Sequence, residues 1–427
     1  NPEYYALRNG KRLPTQLCLT NNTVLEIVKD SVRSFFKSFP ISDVISVSQD
    51  DNTQYCQCEN CSKIDNNEGS PAGSLIHFVN EIAKDFPDKT ISTLAYQYTR
   101  KPPKTKPLEN VLITLCSIEC DRSIPIDEGC KDFSSDLKGW SSLTDNIRIW
   151  DYTTQFTNFL APFPNWGTIK PNINLFVQNN AKWIFEQHSR NDSELFELRS
   201  YVMAKLLWDP SLNFNTLIKD FNDKYYGDGG KYITEYISKI QSQIDNTSFF
   251  LFLYGDPSQG FDSFLSPQNL SNYDKLFDKA LSKVDYNSNY YNRILRSKIS
   301  IDYAILELYR KNFSDLYKLT FYENSLKTIN PELIERLNNF RDVCSENNIT
   351  YMNEMGFTVT DYVSNYQNAL TIAIKNNIAS GKKVTLETIP KKYANEDPQV
   401  LTDGALGGNS FYSNLSLIHI SEPTRLH

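Results

Sequence analysis

Short β-branched runs alternate with longer amphipathic segments through the first part of the chain. Val44, Ile45 and Val47 form the run around which the others are organised, and it stops abruptly at Ser48, Gln49, Asp50, Asp51 and Asn52. β-branched residues suit a pleated, half-buried backbone, whereas that polar string cannot continue inside a sheet. The same grammar recurs at 90–98, 110–116, 146–150 and 181–185, each run leading into carboxylates, amides or aromatic rings. Between the runs, Val24, Ile27, Val28, Val32 and Phe35 repeat at helical spacing, as do Leu75, Phe78, Val79 and Ile82 behind Ser70-Pro71. Segments 133–143 and 173–177 supply further helices, and 16–19 reads as a short strand. Five strand–helix units predict an α/β fold with a parallel sheet. They point to the later part of a (β/α)8 TIM-like barrel lacking its first strands. A doubly wound open sheet is the competing arrangement.

The period changes after residue 192. Helical patterns at 194–208, 232–244, 273–284, 290–311 and 331–348 follow one another, interrupted at Gly227-Asp-Gly-Gly230. From Lys383 the alternation is strand-like again, and Leu401-Thr-Asp-Gly404 resembles the start of a jelly-roll module. The expected organisation is therefore the C-terminal part of a catalytic barrel at 1–192 and an α-helical domain at 193–380. The truncated start of a β-sandwich (jelly-roll, discoidin-like) module follows at 381–414. Residues 415–427 resemble a translated sequencing-adapter tail and are set aside. The chain begins without an initiator Met or a signal peptide, as a fragment would, and a barrel without its first strands is expected to be poorly stable alone.

Composition narrows the functional classes. A net charge of -7 offers no Lys/Arg excess to displace counterions, so no nucleic-acid partner is expected. No apolar run approaches the roughly 20 residues that span a bilayer, so no transmembrane segment is expected. The 25 Tyr, 25 Phe and 5 Trp are an unusual load of flat rings, which suit sugar faces.

The strand ends carry the chemistry. Asp50, Asp51, Glu119, Asp121, Asp151 and Glu186 all follow apolar runs, with Tyr96, Tyr98, Trp150, Tyr152 and Trp166 nearby. Two carboxylates facing one pocket, one protonated and one ionised, are the apparatus for cleaving a glycosidic bond. The blander expectation is that these acids pair with Arg100, Arg122, Arg148 and Arg190. His188, after Glu186-Gln187, is a lesser candidate for a functional role, and His77 reads as structural. Cys56, Cys58 and Cys61 lie in an expected loop as C-x-C-x₂-C. They could supply part of a zinc site with Cys120 or Cys116, but loop-pinning disulfides or buried free thiols are the favoured reading. No metal and no cofactor are expected.

Several longer segments carry a family resemblance: Asn1-Pro-Glu-Tyr-Tyr-Ala-Leu, Ser46-Val-Ser-Gln-Asp-Asp-Asn, Tyr55-Cys-Gln-Cys-Glu-Asn-Cys, Gly69-Ser-Pro, Leu115-Cys-Ser-Ile-Glu-Cys-Asp and Ile149-Trp-Asp-Tyr. Together they resemble the bacterial DUF4838 family, densely over residues 1–230. Part of that family is classified as glycoside hydrolase family 163, endo-β-N-acetylglucosaminidases acting on N-glycans. The usual family motif has Asn where Asp50 stands, which makes Asp51 the better match for the shared acid. The resemblance implies a retaining barrel hydrolase, including a substrate-assisted route in which the sugar's acetamide attacks the anomeric carbon. On that basis Glu119 is the expected general acid/base and Asp51 the acetamide partner, with the reverse assignment open. Asn52, Tyr98, Trp150, Asp151 and Glu186 would line the sugar subsite. The implied substrate is a glycan or glycoprotein, and the implied location is secreted or the bacterial cell envelope. Another glycosidase, such as an α-glucuronidase-like enzyme or an exo-hexosaminidase, and a non-catalytic glycan-binding protein are the alternatives.

Overall fold

An Asn-Gly pair starts the architecture. Asn9 and Gly10 both take left-handed backbone (φ 49° and 76°), the conformation a two-residue hairpin turn requires. They join β1 (Tyr5–Arg8) to β2 (Lys11–Leu17) as an antiparallel pair. The computed structural model describes residues 1–189, 192–311, 314–323 and 326–374, with 382, 383 and 385. Apart from those last three, the β-sandwich start expected at 381–414 lies outside the described residues, as does the tail at 415–427. The chain forms two compact units. The first comprises Asn1–Asp121, Pro125–Tyr152 and Lys170–Gln187; the second comprises Arg122–Ile124, Thr153–Ile169 and the chain from His188 onward.

In the first unit, Asn21 caps α1 (Asn22–Ser38) by accepting hydrogen bonds from the backbone N–H groups of Thr23 and Val24. Then follow β3 (Val44–Ser46), α2 (Glu59–Glu68), α3 (Ala72–Ala83), β4 (Thr90–Ala95), β5 (Val111–Cys116), α4 (Ile126–Gly129), α5 (Lys131–Leu143), β6 (Ile147–Tyr152), α6 (Trp166–Gln178, whose first turn through Ile169 belongs to the second unit) and β7 (Ala181–Gln187). The sheet order is β3-β4-β5-β6-β7 and every pairing is parallel. Spatial order equals chain order, so among the described residues the strand sequence does not reverse and the sheet has no switch point, unlike a doubly wound sheet. The sheet is a curled, five-stranded half-barrel.

Strand alternation sorts its side chains. Ile91, Ile113, Leu115, Ile147 and Ile149 face the helices and pack with Val79, Ile82, Phe133, Leu137, Trp140 and Phe176. The alternate positions on the other face are more polar. Ser92 and Thr114 hydroxyls lie 3.4 Å apart, and the Arg148 Nε donates to Thr114 Oγ1 at 3.1 Å. On β7, Trp183 and Phe185 remain 61% and 47% exposed, because β7 is an edge of the half-barrel.

Several elements differ from the sequence reading, among them the β1–β2 hairpin, of which only 16–19 reads as a strand, and a helix at Val359–Ala373. Cys58 and Cys61 do not lie in a plain loop: Cys58 is the N-cap of α2 and Cys61 sits in its first turn. The segment escapes a periodicity test because only Cys61 and Asp65 are buried in α2. A hairpin of β8 (Thr320–Glu323) and β9 (Leu326–Ile329) also interrupts the helical region.

The second unit otherwise consists of α7 (Phe196–Trp208), α8 (Phe214–Tyr226), α9 (Gly230–Asp245), α10 (Pro267–Leu281), α11 (Asn289–Lys311), α12 (Pro331–Glu346) and α13 (Val359–Ala373). At the α8–α9 corner Gly230 is needed for space: a Cβ there would stand 2.3 Å from the Asn222 carbonyl oxygen. Arg199 and Glu194 form a buried ion pair in this unit, with Arg199 Nη2 2.7 Å from Glu194 Oε2. The guanidinium also lies over the Trp166 ring at 3.9 Å, so Trp166 is a core residue and not a sugar platform. Among the described residues no helix is long and apolar enough to cross a membrane.

Candidate active site

The loop after β3 is held from below by the hairpin. Gln16, near the end of β2, donates from Nε2 to the carbonyls of Asp50 (2.7 Å) and Asn52 (3.1 Å) and accepts from the Asp50 N–H at 3.1 Å. Asn52 turns inward: its Nδ2 donates to the Thr15 carbonyl at 2.9 Å and its Oδ1 accepts from the Gln54 N–H at 2.9 Å. Its amide is committed to shaping the loop, so Asn52 is a positioning residue. The residue it presents to solvent is Asp51, which is exposed.

Asp51 is met by the end of β4. Tyr96 Oη donates to Asp51 Oδ1 at 3.0 Å, and Gln97 Nε2 lies 3.4 Å from the same oxygen and 2.9 Å from the phenol. Among the described residues Oδ2 carries no hydrogen bond. Burial, reinforced by the Asp51 charge, holds the Tyr96 phenol well above its ordinary pKa, so it stays a proton donor to the carboxylate. Gln97 adopts a left-handed backbone (φ 50°), an uncommon conformation for a residue with a Cβ. Gln49 ties the loop to the same corner through Thr99 Oγ1 at 2.8 Å.

Glu119 stands past the end of β5. A turn closed by the Cys120 N–H on the Ser117 carbonyl (3.0 Å) carries it, and a Cys120–Cys130 disulfide anchors the next residue. Arg100 Nη1 donates to Glu119 Oε2 at 3.1 Å while its Nε donates to Asp136 at 2.8 Å. Glu119 Oε1 carries no hydrogen bond among the described residues. Asp51 follows β3 and Glu119 follows β5, and because β3, β4 and β5 run parallel both acids leave the same end of the sheet. Between them the Cys116 thiol is pushed up to about 12 by burial, with the Glu119 and Asp51 charges adding to the rise. The expected pairing of Glu119 with Arg100 is also present, and it engages one carboxylate oxygen only.

The remaining predicted residues divide. Trp150 is half-buried beside the acids' end of the sheet, donating from Nε1 to Gln187 Oε1 at 2.7 Å and packing on Tyr152 and Phe185 at 6.5 and 5.2 Å. Asp151 pairs in register with Glu186, and alternation places both on the opposite face from Trp150 and Phe185. Asp151 is only 3% exposed and accepts a hydrogen bond from Ser117 Oγ, which fits a strand-end anchor better than a sugar contact. Tyr98 is drawn beneath the acid loop, stacked on Tyr55 at 4.7 Å and lining an apolar cavity with Val28, Leu75 and Phe78. The ring that reaches Asp51 is Tyr96. Gln97 and Arg100, the other groups engaging the acids, carry no signal of their own in the sequence.

His188, in the second unit, is a packed residue. Its ring lies between Thr153 Oγ1 (3.2 Å) and Ser193 Oγ (2.8 Å) and stacks on Phe196. Burial, and then the Arg199 charge, lower its pKa to about 3 from 6.5. The unfolded chain therefore binds a proton that the folded one refuses. The stabilisation is complete above about pH 6.5 and is lost progressively as pH falls towards 3, by up to about 1.4 kcal/mol per unit. Urea midpoints at neutral and mildly acidic pH should show His188→Gln losing less stability on acidification than the parent; equal losses would contradict this.

Cys56, Cys58 and Cys61 carry free thiols, as the favoured reading allowed, and only the fourth sulfur beside them differs from expectation. Neither Cys116, buried at the end of β5, nor Cys120, bonded to Cys130, joins Cys56, Cys58 and Cys61. The sulfur that does is Cys18.

A family model described as "Domain of unknown function (DUF4838)" matches residues 1–238. No curated protein sequence matches the chain. Among solved structures, an O-GlcNAc hydrolase mutant of Thermobaculum terrenum is similar at TM-score 0.39 and 14% identity, covering 83% of this chain and 76% of that one. CpGH89 from Clostridium perfringens, in complex with its substrate GlcNAc-α-1,4-galactose, is similar at TM-score 0.41 and 10% identity, covering 82% and 45%. With more than half of its length matched by the family model, the chain belongs to the DUF4838 family.

Proposed function

We propose that this chain is the carboxylate-bearing part of a glycoside hydrolase that cleaves β-linked N-acetylglucosamine glycans, acting within N-glycans with retention of configuration. The observation that carries the reading is the pair Asp51 and Glu119, each with one oxygen tied to a neighbour and the other open at the same end of a parallel sheet. Strand carboxyl ends are where half-barrels and barrels assemble their chemistry. In the proposed reaction Asp51 Oδ2 accepts the N–H of the substrate acetamide and turns its carbonyl oxygen towards the anomeric carbon. That oxygen forms a bond to the carbon as the glycosidic bond breaks, and Glu119 Oε1 delivers the proton to the departing oxygen. Water, deprotonated by Glu119, then opens the cyclic intermediate and restores the acid. Tyr96 and Gln97 hold Oδ1 so that Oδ2 keeps its direction. Trp150 offers a ring for the sugar face.

We further propose an exported protein, since a disulfide such as Cys120–Cys130 persists in oxidising compartments. A non-catalytic glycan binder is the second reading, favoured by the exposed rings of Trp183 and Phe185. Incubating the full-length protein with N-glycosylated protein and a panel of released glycans separates the two. Scission between the two core N-acetylglucosamines, seen by mass, is the expected outcome. Scission elsewhere keeps the hydrolase and changes its substrate, and binding without any scission replaces the enzyme with the binder.

A further inference from the structure

We infer that Cys18, Cys56, Cys58 and Cys61 form a structural zinc site that clamps the N-terminal hairpin to the loop bearing Asp51. The four sulfur atoms all lie within 4.8 Å of one another. A tetrahedron of metal–sulfur bonds about 2.3 Å long has sulfur–sulfur edges of about 3.8 Å, and the Cys18 and Cys58 sulfurs are 3.7 Å apart. That is far beyond a disulfide bond and inside the spacing a single Zn²⁺ imposes. Cys18 follows β2, Cys56 and Cys58 approach α2, and Cys61 lies in the first turn of that helix, so three separate backbone directions supply the four ligands.

The surroundings suit thiolates. The Leu7 N–H points at Cys56 Sγ from 3.3 Å and Arg12 Nη1 from 3.8 Å. Thr20 Oγ1 lies 3.2 Å from Cys61 Sγ and 3.7 Å from the sulfurs of Cys18 and Cys58. Four thiols binding one zinc release four protons and leave two net negative charges, which these donors and the guanidinium offset.

Packing gives the site a reason. The cluster that holds the hairpin consists of Ala6, Cys18, Cys56 and Cys61, with Leu7 and Cys58 at its edge. Such a core is too small to fix a two-stranded hairpin, which is marginal in water by itself. A tetrathiolate replaces the missing apolar area with metal–ligand bonds. Cys18 lies two residues past Gln16, whose amide holds Asp50 and Asn52, so the clamp would fix the acid loop's height above the sheet.

The test begins with the full chain expressed with zinc and passed through gel filtration without chelator. We expect about one zinc per chain by elemental analysis. A strong chelator should release it together with four additional thiols reactive to a disulfide reagent. Replacing zinc by Co²⁺ should give intense sulfur-to-cobalt charge-transfer bands, a signature of thiolate ligands that does not depend on any variant folding. Cys56→Ser and Cys61→Ser should lose the metal, whereas Cys344→Ser, in α12, should keep it. Metal-free protein with four free thiols, or with these cysteines joined as disulfides that bind no zinc, would overturn the inference. Neither result depends on whether a glycan is cut.

Discussion

Glu119→Gln should slow cleavage of a glycan by roughly 10²–10⁴-fold, the usual contribution of a positioned acid–base group, while glycan affinity stays close to that of the parent. Glutamine keeps the volume of the side chain and an oxygen for Arg100 Nη1, now held at 3.1 Å from Oε2, but has no proton to give the leaving oxygen. Asp51→Asn should be comparably slow for a different reason. The asparagine oxygen can still accept from Tyr96, as Oδ1 does at 3.0 Å, which leaves an NH₂ where Oδ2 stood. That group repels the acetamide N–H instead of accepting it. An aryl glycoside with an acidic leaving group distinguishes the roles. It needs little protonation, so it should largely restore Glu119→Gln and leave Asp51→Asn slow. The opposite pattern would exchange the two assignments, and full activity of both variants on natural glycans would remove the site.

Arg199→Met should cost about 3–5 kcal/mol of stability, the range for stripping a buried charge of its partner. Both members of the pair are nearly inaccessible, Arg199 1% and Glu194 2% exposed. Arg199 bonds Glu194 Oε2 and its backbone carbonyl, the Asn165 side chain and the Phe163 carbonyl. Glu194 also accepts from Tyr236 Oη and the Phe163 N–H. Without the guanidinium the carboxylate is left charged among groups that cannot neutralise it. Adding Glu194→Gln to Arg199→Met should recover part of the loss, since the uncompensated charge disappears. Urea unfolding followed by tryptophan emission reads the effect directly, because Trp166 lies under the guanidinium. The exposed Lys219–Asp223 pair is the control: Lys219→Met should leave the midpoint unchanged. A small shift for Arg199→Met would mean the network relaxes around its absence.

What could be read from the sequence is what depends on neighbouring residues. β-branched runs and helical spacing located β3 to β7 and the longer helices around them, though not α2, since burial on one face imposes a local period. The acids at the strand ends were legible for the same reason: a polar string after an apolar run marks where a strand leaves the core. Partner choice was not legible. Tyr96 and Tyr98 are two residues apart and chemically alike, yet only the first reaches Asp51, because the left-handed turn at Gln97 sends the second beneath the loop. Asp151 looks as available as Trp150 until alternation and Ser117 commit it elsewhere. Cys18 is separated from Cys56 by the whole of α1 and β3, so no motif spacing could add it to the three later thiols.

The strictly sequential strand order bears on how the chain acquires its shape during synthesis. Each new strand, from β4 to β7, pairs with the one made just before it, across a connection that holds two helices (β3 to β4 and β5 to β6), one helix (β6 to β7) or no α-helix (β4 to β5). Each closure therefore joins strands that are neighbours in the chain, and from β3 to β7 the sheet can be laid down in the order in which its strands leave the ribosome. The growing front is always the newest strand, so the segment most exposed to wrong partners is β7, with Trp183 and Phe185 on it. A chaperone or a pause in translation would matter most there, after the acid-bearing strands are already laid down.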